Sequence, residues 1–386
     1  MNVGVVGCGA ISDIYISNGL KFKGYDIVSC ADIIPERAEE KAALYGIPRA
    51  CSYEEMLQDK TVDIVLNLTV HAAHYPVSIA ALHAGKHIYN EKPLAATFAE
   101  GAKIMRLAEA KGLYVGCAPD TILGGRIQTM RKLIDDGKIG FPIGAVAYMV
   151  CHGHECWHPN PFFVYEDKGG GPIYDMGPYY LTALAYLLGP VRRLSGMVSK
   201  PFKERIITSP RLRGQLIPVE IPTHINAMLE YENGTIANVI FSYDVWDSHL
   251  PRIEIYGSEG TVSICEADPL AGPDVFGGQA LYRHMEDSDW LGPPETIPRK
   301  EASEWEAIEP SFPYTENSRG LGLAEMVWAI QEGVPNRASG EIALHVLEIA
   351  HGAHESARTG SYYDMTTSFE RPELLPPGLV EFSDRF

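Results

Sequence analysis

Three residues from two distant stretches of the chain have the types and spacing to handle the oxygen and proton of an alcohol. Lys92 lies in Tyr89-Asn90-Glu91-Lys92-Pro93, directly after a β-rich run. At the carboxyl end of a strand in an open α/β sheet, where such sheets bind ligands, an ammonium can hold a substrate hydroxyl and stabilise its alkoxide. Asp175 and Tyr179 lie in Gly169-Gly170-Gly171-Pro172-Ile173-Tyr174-Asp175-Met176-Gly177-Pro178-Tyr179. An i, i+4 pair at a helix start shares one face, so both can aim at one small ligand. Tyr179 also opens an apolar run with Leu181, Leu184, Leu187 and Leu188, a pattern that suits a core tyrosine equally well. A free tyrosine has a pKa of about 10, so it accepts a proton near neutral pH only if a cation such as Lys92 favours its phenolate.

The N-terminus suggests an oxidant. Gly7-Cys8-Gly9-Ala10-Ile11-Ser12 follows the strand-like Asn2-Val3-Gly4-Val5-Val6 and opens a helix. The first two glycines allow a tight turn and close backbone approach, and the helix N-terminus offers free N–H groups to a pyrophosphate. Ser12 stands where a third glycine is usual and keeps the side chain small. Asp32 closes the second strand, 23 residues after Gly9 (32 − 9), where an acceptor for both ribose hydroxyls belongs. Its carboxylate repels a 2′-phosphate and Ile33-Ile34 supply no base to offset that, so NAD is expected over NADP. Arg37, one helical turn on, is placed either over the adenine or on solvated helix surface.

These residues need elements to position them. Strand-like runs at 2–6, 27–31, 62–67, 87–89 and 113–117 alternate with helical spacing at 12–22, 35–45, 72–84 and 97–111, which predicts an α/β Rossmann domain over residues 1–120. Residues 121–386 then form a substrate-binding and oligomerisation domain of α+β class. Its runs at 223–231 and 235–243 flank Asn233-Gly234, a tight hairpin signal, and those at 252–256 and 261–265 flank Ser258-Glu259-Gly260. Helices are expected at 176–188, 320–331 and 341–357, and long loops over 266–315. The 386 residues carry 32 basic and 50 acidic side chains, a net charge of −18, which disfavours nucleic acid and anionic membrane surfaces as partners. Seven scattered cysteines read as reduced thiols, and no stretch reaches 18 apolar residues, so the expectation is a cytoplasmic protein without a membrane span.

His152-Gly153-His154-Glu155-Cys156-Trp157-His158 invites a zinc reading. Extended at ~3.3 Å per residue, however, its ends lie ~20 Å apart, and four bonds of ~2.0–2.3 Å to one ion would require the chain to bend. No metal is expected. The segment reads instead as a substrate wall, with Trp157 offering an apolar face and Glu155 or His158 hydrogen bonds, or as ordinary strand and loop. Asp120-Thr121 follows the last Rossmann strand at the domain junction and is placed to reach the ligand. His74 heads a helix at the same sheet edge, where a capping or core role fits as well as a binding one. The basic stretch Lys200, Lys203, Arg205, Arg211, Arg213 reads as a solvated or subunit-contact loop.

At these residues the sequence resembles the Gfo/Idh/MocA family of NAD(P)-dependent oxidoreductases. The motifs are the glycine loop at 7–12, Asp32, Val62-Asp63-Ile64-Val65, His74, Ala84-Gly85-Lys86-His87 leading into Glu91-Lys92-Pro93, and the glycine-rich Asp-x-Gly segment at 169–179, so the resemblance spans nearly the whole chain. It implies a second domain with a large, mostly antiparallel, open-faced sheet that mediates homodimers or homotetramers, and catalytic roles for Lys92 and Asp175. Tyr179 stands where many members have His, as in the branch that includes glucose–fructose oxidoreductase. Thr69-Val70-His71 replaces the usual Thr-Pro-Asn, so Thr69, His71, His74, Glu91 and Lys92 are candidate cofactor contacts together with Gly7, Gly9, Ala10, Ile11 and Ser12. The implied activity is NAD-dependent oxidation of a hydroxyl on a neutral sugar, glycoside or polyol. Tyr179 would take the proton, Lys92 stabilise the alkoxide, Asp175 orient the neighbouring hydroxyl, and hydride pass to nicotinamide. The alternatives are an NAD-using glycosidase or epimerase-like enzyme with transient oxidation, and a non-catalytic NAD-binding sensor.

Overall fold

Short apolar runs separated by helical stretches fold as a parallel sheet because each crossover needs a helix to cover the sheet face. The computed structural model describes residues 1–158, 160–165, 169–264, 272–287 and 304–386. Its first unit runs β1 (Asn2–Val6), α1 (Ser12–Gly19), β2 (Asp26–Ala31), α2 (Pro35–Tyr45), α3 (Tyr53–Gln58), β3 (Ile64–Asn67), α4 (His71–His83), β4 (His87–Asn90), α5 (Phe98–Lys111) and β5 (Val115–Cys117). The five strands are all parallel in the order β2-β1-β3-β4-β5. Local signals set the helix ends: the Thr97 hydroxyl accepts the Glu100 N–H at the start of α5, and Gly112 at φ +64 ends it. Helix α3 was not expected. At six residues it is too short for periodicity, and only the capping box of Ser52 and Glu55 announces it.

The second unit continues with α6 (Gly125–Asp135), β6 (Pro142–Val150), α7 (Pro172–Asp175), α8 (Gly177–Leu188), β7 (Val191–Ser199), β8 (Glu204–Ile206), β9 (Leu216–Pro218), β10 (His224–Tyr231), β11 (Ile236–Ser242), β12 (Ile253–Gly257) and β13 (Gly260–Ile264). It closes with β14 (Ala280–His284), β15 (Glu306–Ile308), α9 (Leu321–Glu332), α10 (Gly340–Thr359) and β16 (Tyr363–Asp364). Nine strands form one sheet in the order β15-β14-β13-β12-β6-β11-β10-β7-β16, antiparallel except between β11 and β6. The hairpin at Asn233-Gly234 joins β10 to β11, with Gly234 at φ +88. The stretch 266–315, expected as loops, contributes β14 and β15 to the sheet edge. These short strands take their order from the β13 ladder, so they need no apolar pattern of their own. Residues 266–271 and 288–303 of that stretch lie outside the described residues.

Two other departures have clear causes. The helix expected at 176–188 is α8, but a separate one-turn helix, α7, precedes it, because the chain breaks at Met176 before Pro178 enters the first turn of α8. Helix α6 escaped notice because its polar side chains are buried: Gln128 donates to the Ile122 carbonyl and the Tyr186 hydroxyl, both at 2.8 Å, and Arg131 to the Tyr186 carbonyl at 2.9 Å.

One face of the nine-stranded sheet carries α8 and α10. Gly196 of β7 lies so close to α10 that a Cβ there would stand 2.6 Å from the Ala353 carbonyl oxygen. The other face is uncovered, with Ile143, Met197, Met228 and Ile236 exposed along it. The chain also crosses the boundary expected at residue 120. Cys117 of β5 donates its N–H to the Ala338 carbonyl at 3.0 Å, and Leu347 of α10 lies in the apolar core behind the first sheet with Val65, Ile88 and Ile104.

Candidate functional site

The carboxyl edge of the first sheet meets the start of α7 and α8 at the Lys92–Asp175 pair. Gly7 ends β1 at φ +96, and a Cβ there would lie 2.7 Å from the backbone of Leu68, so the turn admits no side chain. A Cβ on Gly9, in contrast, would meet nothing within 4 Å. The open space it faces belongs to a cleft of about 760 Å³ lined by Gly7, Gly9, Asp32, Arg37, Tyr53 and Thr69. Asp32 accepts the Cys8 N–H through Oδ2 at 2.8 Å and the Ile34 N–H through Oδ1 at 2.9 Å. Each oxygen keeps a further lone pair for a hydroxyl donor. A bare glycine loop, a carboxylate at the next strand end and a cleft of this size fit a dinucleotide.

The other cofactor candidates divide by exposure. Ala10 and Arg37 are exposed and Ile11 is partly so, with Ile33 fully open beside them. Ser12 is buried and donates its hydroxyl to the Gly9 carbonyl at 2.6 Å, so its side chain shapes the loop and does not face the cleft. Thr69 donates to Asn67 Oδ1 at 2.6 Å. His74 is wholly buried, with Nδ1 2.6 Å from the Pro93 carbonyl and Nε2 3.0 Å from that of Thr69, a brace between β3 and the loop after β4. Glu91 accepts the Tyr15 hydroxyl at 2.7 Å and the Lys92 N–H at 2.9 Å, which ties α1 to the residue before Lys92.

Lys92 crosses from the first unit to the second. Its Nζ donates to Asp175 Oδ1 at 2.8 Å and to the Asp175 carbonyl at 2.7 Å. Burial would lower the ammonium's pKa, but Asp175, Tyr179 and Glu91 outweigh it and hold it above the ordinary lysine value. Burial would raise Asp175, yet Lys92 and His154 hold its carboxyl well below the usual range. The second oxygen of Asp175 accepts the Tyr243 hydroxyl at 2.8 Å and lies 3.4 Å from His154 Nδ1. Tyr179 places its ring 5.4 Å from Lys92 Nζ, but its hydroxyl is directed to Arg319 Nη2 at 3.5 Å. Burial raises the phenol's pKa, and Lys92 and Arg319 offset only part of that. His71, whose ring stands 5.8 Å from Phe163, is pushed down to about 4 by burial and by Lys92, so it is neutral at neutral pH.

Two expected substrate contacts are corrected. Asp120 is buried and accepts the N–H groups of Gly320 and Gly322 through Oδ2 at 2.9 and 3.0 Å, so it anchors the first turn of α9 and does not face the cleft. Glu155 is buried too, because the histidine-rich segment leaves its strand at Val150 and turns at Gly153, φ +82. The turn sends Glu155 to Arg205 at 2.7 Å and to the Tyr165 hydroxyl. Arg205, expected on a solvated loop, also pairs with Asp244 at 3.0 Å and pins β8 to the sheet. Thr121 is buried, and its hydroxyl has no hydrogen-bond partner among the described residues. Trp157 is exposed beside His154 and His158 at the rim. The residues missed by sequence reasoning are Tyr243 and Arg319, brought to Asp175 and Tyr179 by long-range packing with no local motif to mark them, while His154 lies in the histidine-rich segment but is given no individual role there.

Residues 1–118 match the family described as an oxidoreductase family with an NAD-binding Rossmann fold, and residues 127–263 match the GFO/IDH/MocA C-terminal domain. Inositol 2-dehydrogenase of Salmonella typhimurium is 27% identical over 251 residues, 64% of this chain and 70% of that protein. A scyllo-inositol 2-dehydrogenase (NADP(+)) of Bacillus subtilis is 23% identical over 368 residues, 93% of this chain and 94% of its own length. Among solved structures, a levoglucosan dehydrogenase in complex with NADH and L-sorbose superposes with a TM-score of 0.76 at 21% identity, covering 95% of this chain and 99% of that one, which shows a shared fold.

Proposed function

The chain belongs to the GFO/IDH/MocA oxidoreductases, and from that premise we propose that it oxidises a hydroxyl of a neutral sugar, glycoside or polyol with NAD. The observation that carries this reading is the Lys92–Asp175 pair at 2.8 Å, held at the same carboxyl edge of the parallel sheet as the open glycine loop. The relatives that act on inositols and levoglucosan support the substrate class.

Gly7, Gly9, Ala10 and Ile11 would cradle the pyrophosphate, Asp32 and Arg37 the adenosine, and Thr69, His71 and Glu91 the nicotinamide end, with Ser12 and His74 keeping those loops in shape. Bound NAD would supply the hydride acceptor. An ammonium has three N–H donors, and Asp175 uses two of those on Lys92, so the third is free for the substrate oxygen, where it stabilises the charge that develops as the proton leaves. The remaining lone pairs of Asp175 accept the neighbouring hydroxyl and fix which carbon is presented. Tyr179 accepts the proton. Trp157 and His158 form the apolar wall and rim against which a ring would lie, and Thr121 offers its unused hydroxyl at the junction.

Asp32 favours NAD over NADP, although one relative is named for NADP. The uncovered sheet face, with Met197, Met228, Ile143 and Ile236 in solvent, supports a homodimer or homotetramer. The six free cysteines among the described residues, and the lack there of any helix long and apolar enough to cross a membrane, support a cytoplasmic setting. A screen for NAD reduction across sugars, inositols and glycosides tests the reading. Continuous NADH formation with at least one neutral member is expected. A cofactor that is reduced once and never accumulates would point to transient oxidation instead, and no reduction with any member would end the proposal.

A further inference from the structure

Arg319 stands just before α9 and has no part in the scheme above. Its guanidinium is half-buried: Nη1 donates to Asn317 Oδ1 at 2.9 Å, and Nη2 lies 3.4 Å from the Asp274 carbonyl oxygen and 3.5 Å from the Tyr179 hydroxyl. Both sides of the cleft hold the backbone that carries it. Asn18 of α1 donates to the Arg319 carbonyl at 3.0 Å, and Gly320 donates its N–H to Asp120 at 2.9 Å. Among the described residues no carboxylate forms an ion pair with this guanidinium, whose side-chain partners are all neutral. A positive charge has thus been fixed at the oxygen of a buried phenol, within the field of the Asp120 carboxylate but in no ion pair among the described residues.

Lys92 acts on the same phenol through space. Two of its donors are spent on Asp175, and its Nζ stands over the Tyr179 ring, 5.4 Å from the centroid. A phenolate buried without a cation at its oxygen would be too costly to form near neutral pH. The guanidinium meets that need, being charged at every working pH and having donors to spare. We propose that Arg319 is a positioning residue that stabilises the phenolate of Tyr179 through Nη2 and so makes Tyr179 competent to take the substrate proton. The inference rests on Tyr179 being the proton acceptor. The proton lost by the substrate oxygen becomes the phenol O–H and passes to water before the next turnover.

The test reads the tyrosine directly and needs no substrate. The near-ultraviolet absorbance of phenolate is titrated upward from neutral pH in the NAD-saturated protein, and the Tyr179→Phe titration is subtracted to isolate one residue. In the otherwise wild-type chain this residue is expected to ionise before buried tyrosines that have no cation beside them, such as Tyr25 and Tyr231. In Arg319→Gln its midpoint should rise by about one pH unit or more, roughly tenfold less phenolate at a given pH, and Arg319→Lys should recover part of the shift. Arg319→Met is the second neutral variant should the glutamine variant fail to fold. A loss that is merely structural would lower the melting temperature without moving this midpoint. If the residue ionises early in the wild type and its midpoint is the same in the neutral variants, the role of Arg319 is overturned while Tyr179 stands. If it does not ionise ahead of those buried tyrosines even in the wild type, the reading of Tyr179 as proton acceptor fails and takes the inference with it.

Discussion

Lys92 and Asp175, 83 residues apart in the chain, meet in a 2.8 Å ion pair whose side chains are 13% and 7% exposed. The lysine comes from the end of a parallel strand and the aspartate from a one-turn helix behind a glycine run. Two separately folded edges must therefore register for either charge to be satisfied.

Removing the ammonium should separate catalysis from cofactor binding. Lys92→Met is expected to lower kcat for NAD reduction by about 10²–10⁴-fold, the usual range for a lost proton-transfer or charge-stabilising group, while NAD still binds at the glycine loop. Steady-state rates together with NAD titration by fluorescence check this. Turnover within a factor of a few of the wild type would remove Lys92 from the mechanism.

The role proposed for Asp32 is read in the choice of coenzyme. Replacing it with Ala removes the acceptor for the ribose hydroxyls and the repulsion of a 2′-phosphate, so NAD affinity should fall roughly tenfold, with a smaller change for NADP. The ratio of kcat/KM for the two coenzymes measures it, and a wild-type enzyme that already prefers NADP would contradict the role given to Asp32.

Arg205 and Trp157 should separate stability from binding. The Arg205 guanidinium pairs with Glu155 at 2.7 Å and Asp244 at 3.0 Å, and all three side chains are buried. Arg205→Met would strand two carboxylates and cost about 3–5 kcal/mol in urea unfolding. Trp157→Ala, at an exposed site, should leave the unfolding midpoint within about 0.5 kcal/mol of the wild type and raise KM for the substrate. The opposite pattern would return Glu155 to the ligand.

Asp120 should leave a mark on the pH dependence of stability. Burial, partly offset by the Gly322 N–H and the Arg319 charge, pushes its carboxyl up to about 6, against ~3.9 in an unfolded chain. Between those values the folded state keeps a proton that the unfolded state has lost, so this group makes stability fall as pH rises from ~4 to ~6 and leaves the slope alone above that. Asp120→Asn abolishes the effect. Relative to the wild type, the variant should gain on the order of 2–3 kcal/mol across that window, and urea unfolding at successive pH values reads the difference. A difference independent of pH would mean that the carboxyl is not raised.

The features legible in the sequence were those written locally. The strand, turn and helix around Gly7 and Gly9, the carboxylate at Asp32 and the Asn233-Gly234 hairpin each depend on neighbours within a few residues, and the parallel sheet follows from their alternation. Lys92 and Asp175 were marked by their place at element ends. Asp120 and Glu155 were misplaced because adjacency to the junction does not say which way a side chain turns. Burial decided that, with two backbone N–H groups capturing one and an arginine some fifty residues on capturing the other. Arg319 was invisible for the converse reason: it reaches Tyr179 across 140 positions of sequence, and only the folded chain brings them together.

Helix α10 is built into both cores, lying against Gly196 on one flank and lending Leu347 to the other. Swinging the two lobes apart like a hinge would tear apolar contacts from one of them. The cleft beside Ile33 and Arg37 already stands open to solvent, so a coenzyme can reach the glycine loop without any such swing.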